Sequence, residues 1–400
     1  MKVGKHVIFL GAGASCGSGF PLANELRLLI SSQSHLKEAV VNYSLKHNYT
    51  HGELFEELNC CWKRNERAIE LFRNGGFATV DEFCKLAGGC GFKKEINGVR
   101  RLIRGVLGIC NPEENFHKSE YYSFVQGLFN DDLLHLRDDI SVLTYNYDVY
   151  LDFLLQRALL HRWKVAGVGY DVHKINSVTS GLRERSNHEW LKSDVEKRSF
   201  CLLKLHGAIC YPDDKQPINF ATLFSETPLS RAEKLFSHHA DAYEPPVLFP
   251  WEVMREGGFI SEEAFPLAGD SLTYSLFQGV WERARREVQT ASKISFVGLS
   301  MHSFLKDGLR FLFEGKANRT EVVIVNPENT VFESDNPKSH WSRQPWSPAS
   351  SLSNVFSEIA PKMRRIGKNP GLSADGEFTI IKDFREFIKT QMKPAPSLAE

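Results

Sequence analysis

Residues 7–30 constrain this chain more than any other stretch. Val7-Ile8-Phe9-Leu10 is a short apolar run of β-forming residues without polar alternation, the pattern of a strand buried on both faces. It runs straight into Gly11-Ala12-Gly13-Ala14-Ser15, after which Leu22, Leu26, Leu29 and Ile30 recur at helical spacing. A strand, a glycine turn and a helix in that order open a nucleotide-binding α/β unit. The glycines let the backbone approach a pyrophosphate, and the helix N-terminus that follows favours its charge. The dinucleotide fingerprint Gly-x-Gly-x-x-Gly is broken, because Cys16 stands at the third glycine, and no acid about 20 residues on has a strand to sit on. No Gly-Lys-Ser/Thr follows either, so the turn is not a P-loop. Hydride transfer is disfavoured on these grounds.

Further buried strands are predicted at Ile140–Thr144, Phe200–Leu205, Ile294–Val297 and Glu321–Val325, with a strand-like Phe378–Ile381 and a helix Phe384–Met392 at the end. Between the first two strands the apolar spacing is helical throughout, including Val80–Leu86, Val99–Ile109 and Tyr122–Leu136. Helices are also predicted at Tyr150–Leu160, Leu272–Thr290 and Phe304–Phe313. Residues 161–199 are polar and weakly patterned and read as a loop or small insertion, 210–265 carry Pro-rich and aromatic segments of low regularity, and 329–352 read as a long loop or linker. The expected fold class is α/β, a Rossmann-like parallel sheet with a large helical insertion. Residues 1–31 and 139–328 form the nucleotide-binding domain, 32–138 the insertion, and 329–400 a loop with a C-terminal strand and helix. Four strands end in a polar or glycine signature, at 11–15, 144–148, 206–207 and 298–300, and a fifth ends at Asn326. Ligands of parallel α/β sheets sit at the carboxyl ends of strands, so these signatures should line one crevice.

Taken in order, the signatures resemble the SIR2 (sirtuin) family. Its opening Gly-Ala-Gly-x-Ser and Gly-Ile-Pro are matched by Gly11-Ala-Gly-Ala-Ser15 and Ser18-Gly19-Phe20-Pro21. Its Thr-Gln-Asn-x-Asp is Thr144-Tyr-Asn-Tyr-Asp148 here, and its His-Gly is His206-Gly207. Gly298-Leu-Ser300-Met301 loosely matches Gly-Thr-Ser-Leu, and Val325-Asn326 matches a strand ending in Ile-Asn. The resemblance implies a SIR2-type sheet that takes NAD+ as substrate. It assigns Gly11, Ala12, Gly13 and Ser15 to the pyrophosphate, and Asn146 and Asp148 to the nicotinamide and its ribose. It also assigns His206 as base and Ser300 and Asn326 to the phosphate and adenosine side, with Thr144 and Gly298 belonging to the same binding motifs.

The chemistry is coherent without the resemblance. Nicotinamide leaves as a neutral base from a cationic glycoside, which makes the ribose oxocarbenium-like, and the bond must be held in a dry pocket beside an oriented nucleophile. An amide such as Asn146 can position water or a hydroxyl without adding a titrating charge. A histidine can take the proton. Departures from the deacylase pattern point away from peptide substrates. Leu22-Ala23-Asn24 replaces Asp-Phe-Arg, and only Cys210 lies where four zinc cysteines would stand, so zinc is not expected. Phe249-Pro250-Trp251-Glu252 only echoes the acyl-lysine groove. The pattern resembles the SIR2-like NAD+ hydrolases of bacterial anti-phage systems more closely. That resemblance implies an NAD+ glycohydrolase whose off state depends on a homo-oligomer or on a partner such as a HerA-type ATPase or a short Argonaute. A protein deacylase and a non-catalytic module sensing NAD+ or ADP-ribose remain open, and a nuclease has no metal-binding acid cluster to support it.

Composition adds exclusions. Lys+Arg and Asp+Glu balance at 49 each, so no global field draws the chain to nucleic acid or to an anionic membrane. Arg283-Ala-Arg-Arg286 is a local basic run that reads as a solvated helix face. No run approaches the roughly 20 apolar residues of a membrane span, and no signal-like segment opens the chain. The eight cysteines form no Cys-x-x-Cys pair, which fits free thiols in a reducing, cytoplasmic setting.

Overall fold

A computed structural model describes residues 5–47, 56, 59–60, 62–75, 77, 79–109, 119–129, 136–148, 150–151, 154–155, 158, 201–207, 247–255, 258–261, 271–299, 305–316, 320–325, 379–381 and 384–392. Six parallel strands form the main sheet: β1 (Lys5–Leu10), β2 (Ile140–Thr144), β3 (Cys201–Lys204), β6 (Ala291–Val297), β7 (Glu321–Val325) and β8 (Thr379–Ile381). β4 (Met254–Arg255) and β5 (Gly258–Phe259) make a separate antiparallel pair. The sheet order is β3-β2-β1-β6-β7-β8. With the small hairpin set aside this is 3-2-1-4-5-6, the doubly wound order of dinucleotide-binding sheets. The fold is therefore mixed α/β and Rossmann-like. β2, β3 and the last four residues of β6 and β7 are buried without alternation, as strands covered on both faces must be.

Register places the functional signatures. Leu10 lies opposite Thr144 and Val297, Thr144 opposite Lys204, Val297 opposite Val325, and Val325 opposite Ile381. These six residues form one row across the sheet. Gly11, Asn146, His206 and Gly298 all fall one or two residues past it. The strands end level because each apolar run stops at the same depth of the core.

Helices bounded within the described residues are α1 (Ala12–Cys16), α2 (Ala23–Ser31), α3 (Gln33–His47), α4 (Glu66–Asn74), α5 (Val80–Gly89), α6 (Lys93–Ile109), α7 (Glu120–Gln126), α8 (Pro250–Val253), α9 (Ser271–Thr290), α10 (Lys306–Phe313) and α11 (Phe384–Gln391). Between β1 and β2 the described elements are all helical, and α3, α4, α5 and α6 pack on α2. Trp62 Nε1 and Arg73 Nε donate to the carbonyls of Ile30 and Ser31, at 3.1 and 3.0 Å, and satisfy the end of α2. Thr79 and Ser119 cap α5 and α7 by accepting from Glu82 N and Tyr122 N.

Two expectations change. The glycine turn is one turn of helix, with Gly11 as its N-cap in extended conformation. The helix predicted to Leu136 stops at Gln126, where Gly127 closes it, and Phe129 instead pairs with Leu136 in an isolated bridge. Leu128 and Phe129 extend the helical spacing only because the chain turns back and buries them. The C-terminal strand β8 pairs parallel with β7. Residues 161–199 and the loop 329–352 lie outside the described residues. None of the described helices is long and apolar enough to cross a membrane.

Candidate functional site

The sheet order reverses between β1 and β6, and the crevice at this switch point is where such sheets bind ligands. Its floor is backbone packed on backbone. Gly11 N donates to Val297 O and Gly13 N to Gly298 O, both at 2.9 Å. Gly298 has φ +59°, and a Cβ there would lie 2.3 Å from Ala14 N. A Cβ on Gly11 would meet Gly298 O at 2.6 Å, and one on Gly13 would meet Gly298 Cα at 2.8 Å. The three glycines thus let the first turn of α1 and the end of β6 touch. The amides of Gly11 and Gly13 are spent on this contact, while Gly13 is exposed and Ala12 half-buried at the opening.

Beside this floor lies a buried polar network. Ser15, 1% exposed, donates from Oγ to Asp148 Oδ2 at 3.1 Å. Asn146 Nδ2 donates to Gly11 O at 3.0 Å and reaches Ser15 Oγ at 3.4 Å. Thr144 Oγ1 accepts from Asn146 N at 3.0 Å and so sets the turn after β2. Asp148 Oδ1 accepts from Tyr150 N, and Lys204 Nζ donates to the Asp148 carbonyl at 2.9 Å. Burial raises the Asp148 carboxyl above the usual range, against the pull of Lys204, the Tyr150 amide, Ser15 and Asn146. One apolar strand end (β1), one polar turn (after β2) and one lysine (β3) are therefore tied into a single unit.

His206 sits at the end of β3, and burial lowers its pKa to about 3. Tyr145 packs edge-on against its ring at 4.7 Å between centroids, with Tyr147 at 6.3 Å and Trp281 at 6.4 Å completing an aromatic cage. Among the described residues, neither the buried His206 Nε2 nor the buried Tyr145 hydroxyl has a hydrogen-bond partner. Orphaned buried polar atoms cost about 1–3 kcal/mol each, and a ligand that reaches them removes that cost. In this closed cage the neutral imidazole is a poor proton acceptor at pH 7. What it offers is a hydrogen bond.

The structure thus brings Gly11, Ala12, Gly13, Ser15, Thr144, Asn146, Asp148 and Gly298 together at the switch point, with His206 two residues past the same row on β3. Ser300 and Asn326 lie outside the described residues, although Asn326 directly follows the row residue Val325. Sequence reasoning missed Lys204, Tyr145 and Trp281. Lys204 left a signal, a lone charge inside the apolar run Cys201–Leu205. Trp281 left none, because a tryptophan on an amphipathic helix looks like ordinary core.

No protein-family model matches the chain, and no curated protein matches it in sequence. The functional reading rests on the residues and their geometry.

Proposed function

We propose that the chain binds NAD+ across the β1–β6 switch point and cleaves its nicotinamide–ribose bond, releasing nicotinamide and ADP-ribose. The observation that carries this reading is the joined Ser15–Asn146–Asp148 network beside the glycine floor, with His206 two residues past the same register row. A pyrophosphate would lie over the Ala12–Gly13 opening. Asn146 would orient the ribose or the attacking water through its amide oxygen, since its nitrogen holds Gly11 O. The buried Asp148 and the neutral His206 would hydrogen-bond ribose hydroxyls in a site that excludes water. As the effector of an anti-phage system, the activity would be held off by self-assembly or by an ATPase or Argonaute partner until infection.

A second reading is also supported by an observation. His206 with a pKa of about 3 and the engaged Asn146 amide suit a module that binds NAD+ without turning it over. Incubation of the purified protein with NAD+, beside Asn146→Ala and His206→Ala, separates the two. Peptide-independent release of nicotinamide and ADP-ribose by wild type alone supports the hydrolase. NAD+ binding with no product supports the sensing module.

A further inference from the structure

Arg100, on α6 of the helical insertion, is buried to 2% exposure and reaches across the sequence to the segment that follows residue 246. Its Nε donates to the carbonyl of Val247 at 2.9 Å. That carbonyl and the Leu248 amide belong to one peptide group, and the Leu248 amide donates to the carbonyl of His206 at 2.9 Å. Gly207 and Val247 form the accompanying bridge. A single peptide plane therefore stands between the guanidinium and the backbone of His206. Hydrogen bonds in such a chain polarise one another, and the buried cation strengthens the whole relay.

The same segment is held at its other end. Glu252, 3% exposed, pairs with Arg100 through one oxygen and accepts from Phe249 N at 2.9 Å through the other. Asn97 accepts from Arg100, and the Phe249 ring lies under the guanidinium at 5.4 Å. Tyr147, which packs on His206, aims its hydroxyl at Leu248 O from the opposite side at 3.4 Å. Val247–Phe249 is thereby clamped by the insertion on one flank and by the turn after β2 on the other. His206 lies two residues past β3, the edge strand of the described sheet, and among the described residues its backbone is held by this clamped segment, beside Trp281 Nε1, which donates to the Leu205 carbonyl at 3.0 Å. The titratable groups facing the clamp are Asp81 and Cys84 on α5 and Tyr147, and those facing the imidazole are Tyr145 and Tyr147.

We infer that Arg100, with Glu252, is a positioning residue for His206: the helical insertion completes the site through one peptide group. A buried ion pair is weak grounds for stability, since an apolar pair often serves as well, but it fixes a unique geometry when every donor is used. Lysine cannot present the same fork to Val247 O, Asn97 and Glu252 at once. The inference rests on the reading of His206 as a site residue, and its test does not depend on turnover.

Protein labelled with 15N-histidine is followed by ring-nitrogen correlation spectra across pH, with the His206 signal assigned by its loss in His206→Gln. In Arg100→Lys the His206 signal should move, and its midpoint should rise by about one pH unit or more as water enters the cage. Tyr147→Phe should shift it in the same direction but less. Where wild type turns over NAD+, Arg100→Lys should lose about tenfold or more in kcat with KM little changed. A cooperatively folded Arg100→Lys whose His206 signal and midpoint match wild type overturns the inference. If Arg100→Lys does not fold, the pair Arg100→Met with Glu252→Met removes both charges and the donor to Val247 O, and is read by the same two criteria. A wild type that releases no nicotinamide sinks the hydrolase reading, while the histidine spectra still decide the positioning role.

Discussion

Gly298 sets a tight local demand against backbone. Its φ of +59° lies where L side chains are strained, and its Cα hydrogens face Ala14 N across the switch point. Gly298→Ala should cost about 2 kcal/mol or more, read as a lower urea midpoint, because strain and clash act together. Gly17→Ala, with open space around its Cβ position, is the matched control and should change stability by less than about 1 kcal/mol. Two histidines make a different prediction. His6, bonded through Nε2 to Ser295 Oγ at 2.8 Å, and His206 both have pKa values lowered to about 3 by burial. The unfolded chain binds these protons near pH 6.5 and the folded chain does not, so stability should rise with pH between about 3 and 6.5. Urea melts at pH 5 and pH 7.5 should show wild type weaker at the lower pH, and His206→Gln should reduce that difference. A difference unchanged in the variant would show that His206 is hydrated in solution.

At the scale of elements, the C-terminal helix α11 has a role that its polar face conceals. Phe387 is fully buried and lies edge-on to His6 at 6.4 Å, while Phe384 packs on Tyr121 and Phe124 of α7. Tyr121 in turn stacks on Tyr150, which meets Phe20 just after the glycine turn. Phe387→Ala should cost about 3–5 kcal/mol in chemical denaturation. Arg385→Ala, which removes an exposed pair with Glu120, should cost under about 1 kcal/mol. A second element-level joint lies at the opposite end of the sheet from the site. Glu287 of α9 accepts from Ser141 Oγ on β2 and pairs with Lys5 of β1 and Arg283. Despite its burial, these partners hold the Glu287 carboxyl below the usual range, so it contributes stability at neutral pH that is lost in acid. Glu287→Gln should flatten the acid limb of the stability–pH curve.

For the molecule as a whole, ligand binding gives the simplest check. A ligand that binds only the folded chain stabilises it by about 2.7 kcal/mol at 100 times its Kd. NAD+ should therefore raise the midpoint of thermal unfolding of wild type, and should do so less for Asn146→Ala. An equal rise in both would place the nucleotide away from the β2 turn.

Much of this architecture was legible in the chain. Unbroken apolar runs mark strands buried on both faces, and Ile140–Thr144 and Glu321–Val325 fall where the apolar pattern put them, because parallel strands admit no alternation. Short β-formers beside glycine, and long stretches of helical spacing, likewise marked strands and helices, although not the stop at Gln126 or the short β4–β5 pair. The chain also put Gly11, Asn146, Asp148 and His206 just past strand ends, where the structure has them. Periodicity is a local property, so it could not supply what depends on distant residues. The order in which strands lie side by side, the level register that aligns their ends, and the joining of Ser15 to Asp148 are all long-range. So are the neutral state of His206, set by an aromatic cage drawn from the turn after β2 and from α9, and the contact of Arg100 with a peptide 147 residues away. Those were decided by tertiary packing, where burial and shared hydrogen bonds set a side chain's chemistry regardless of its neighbours in sequence.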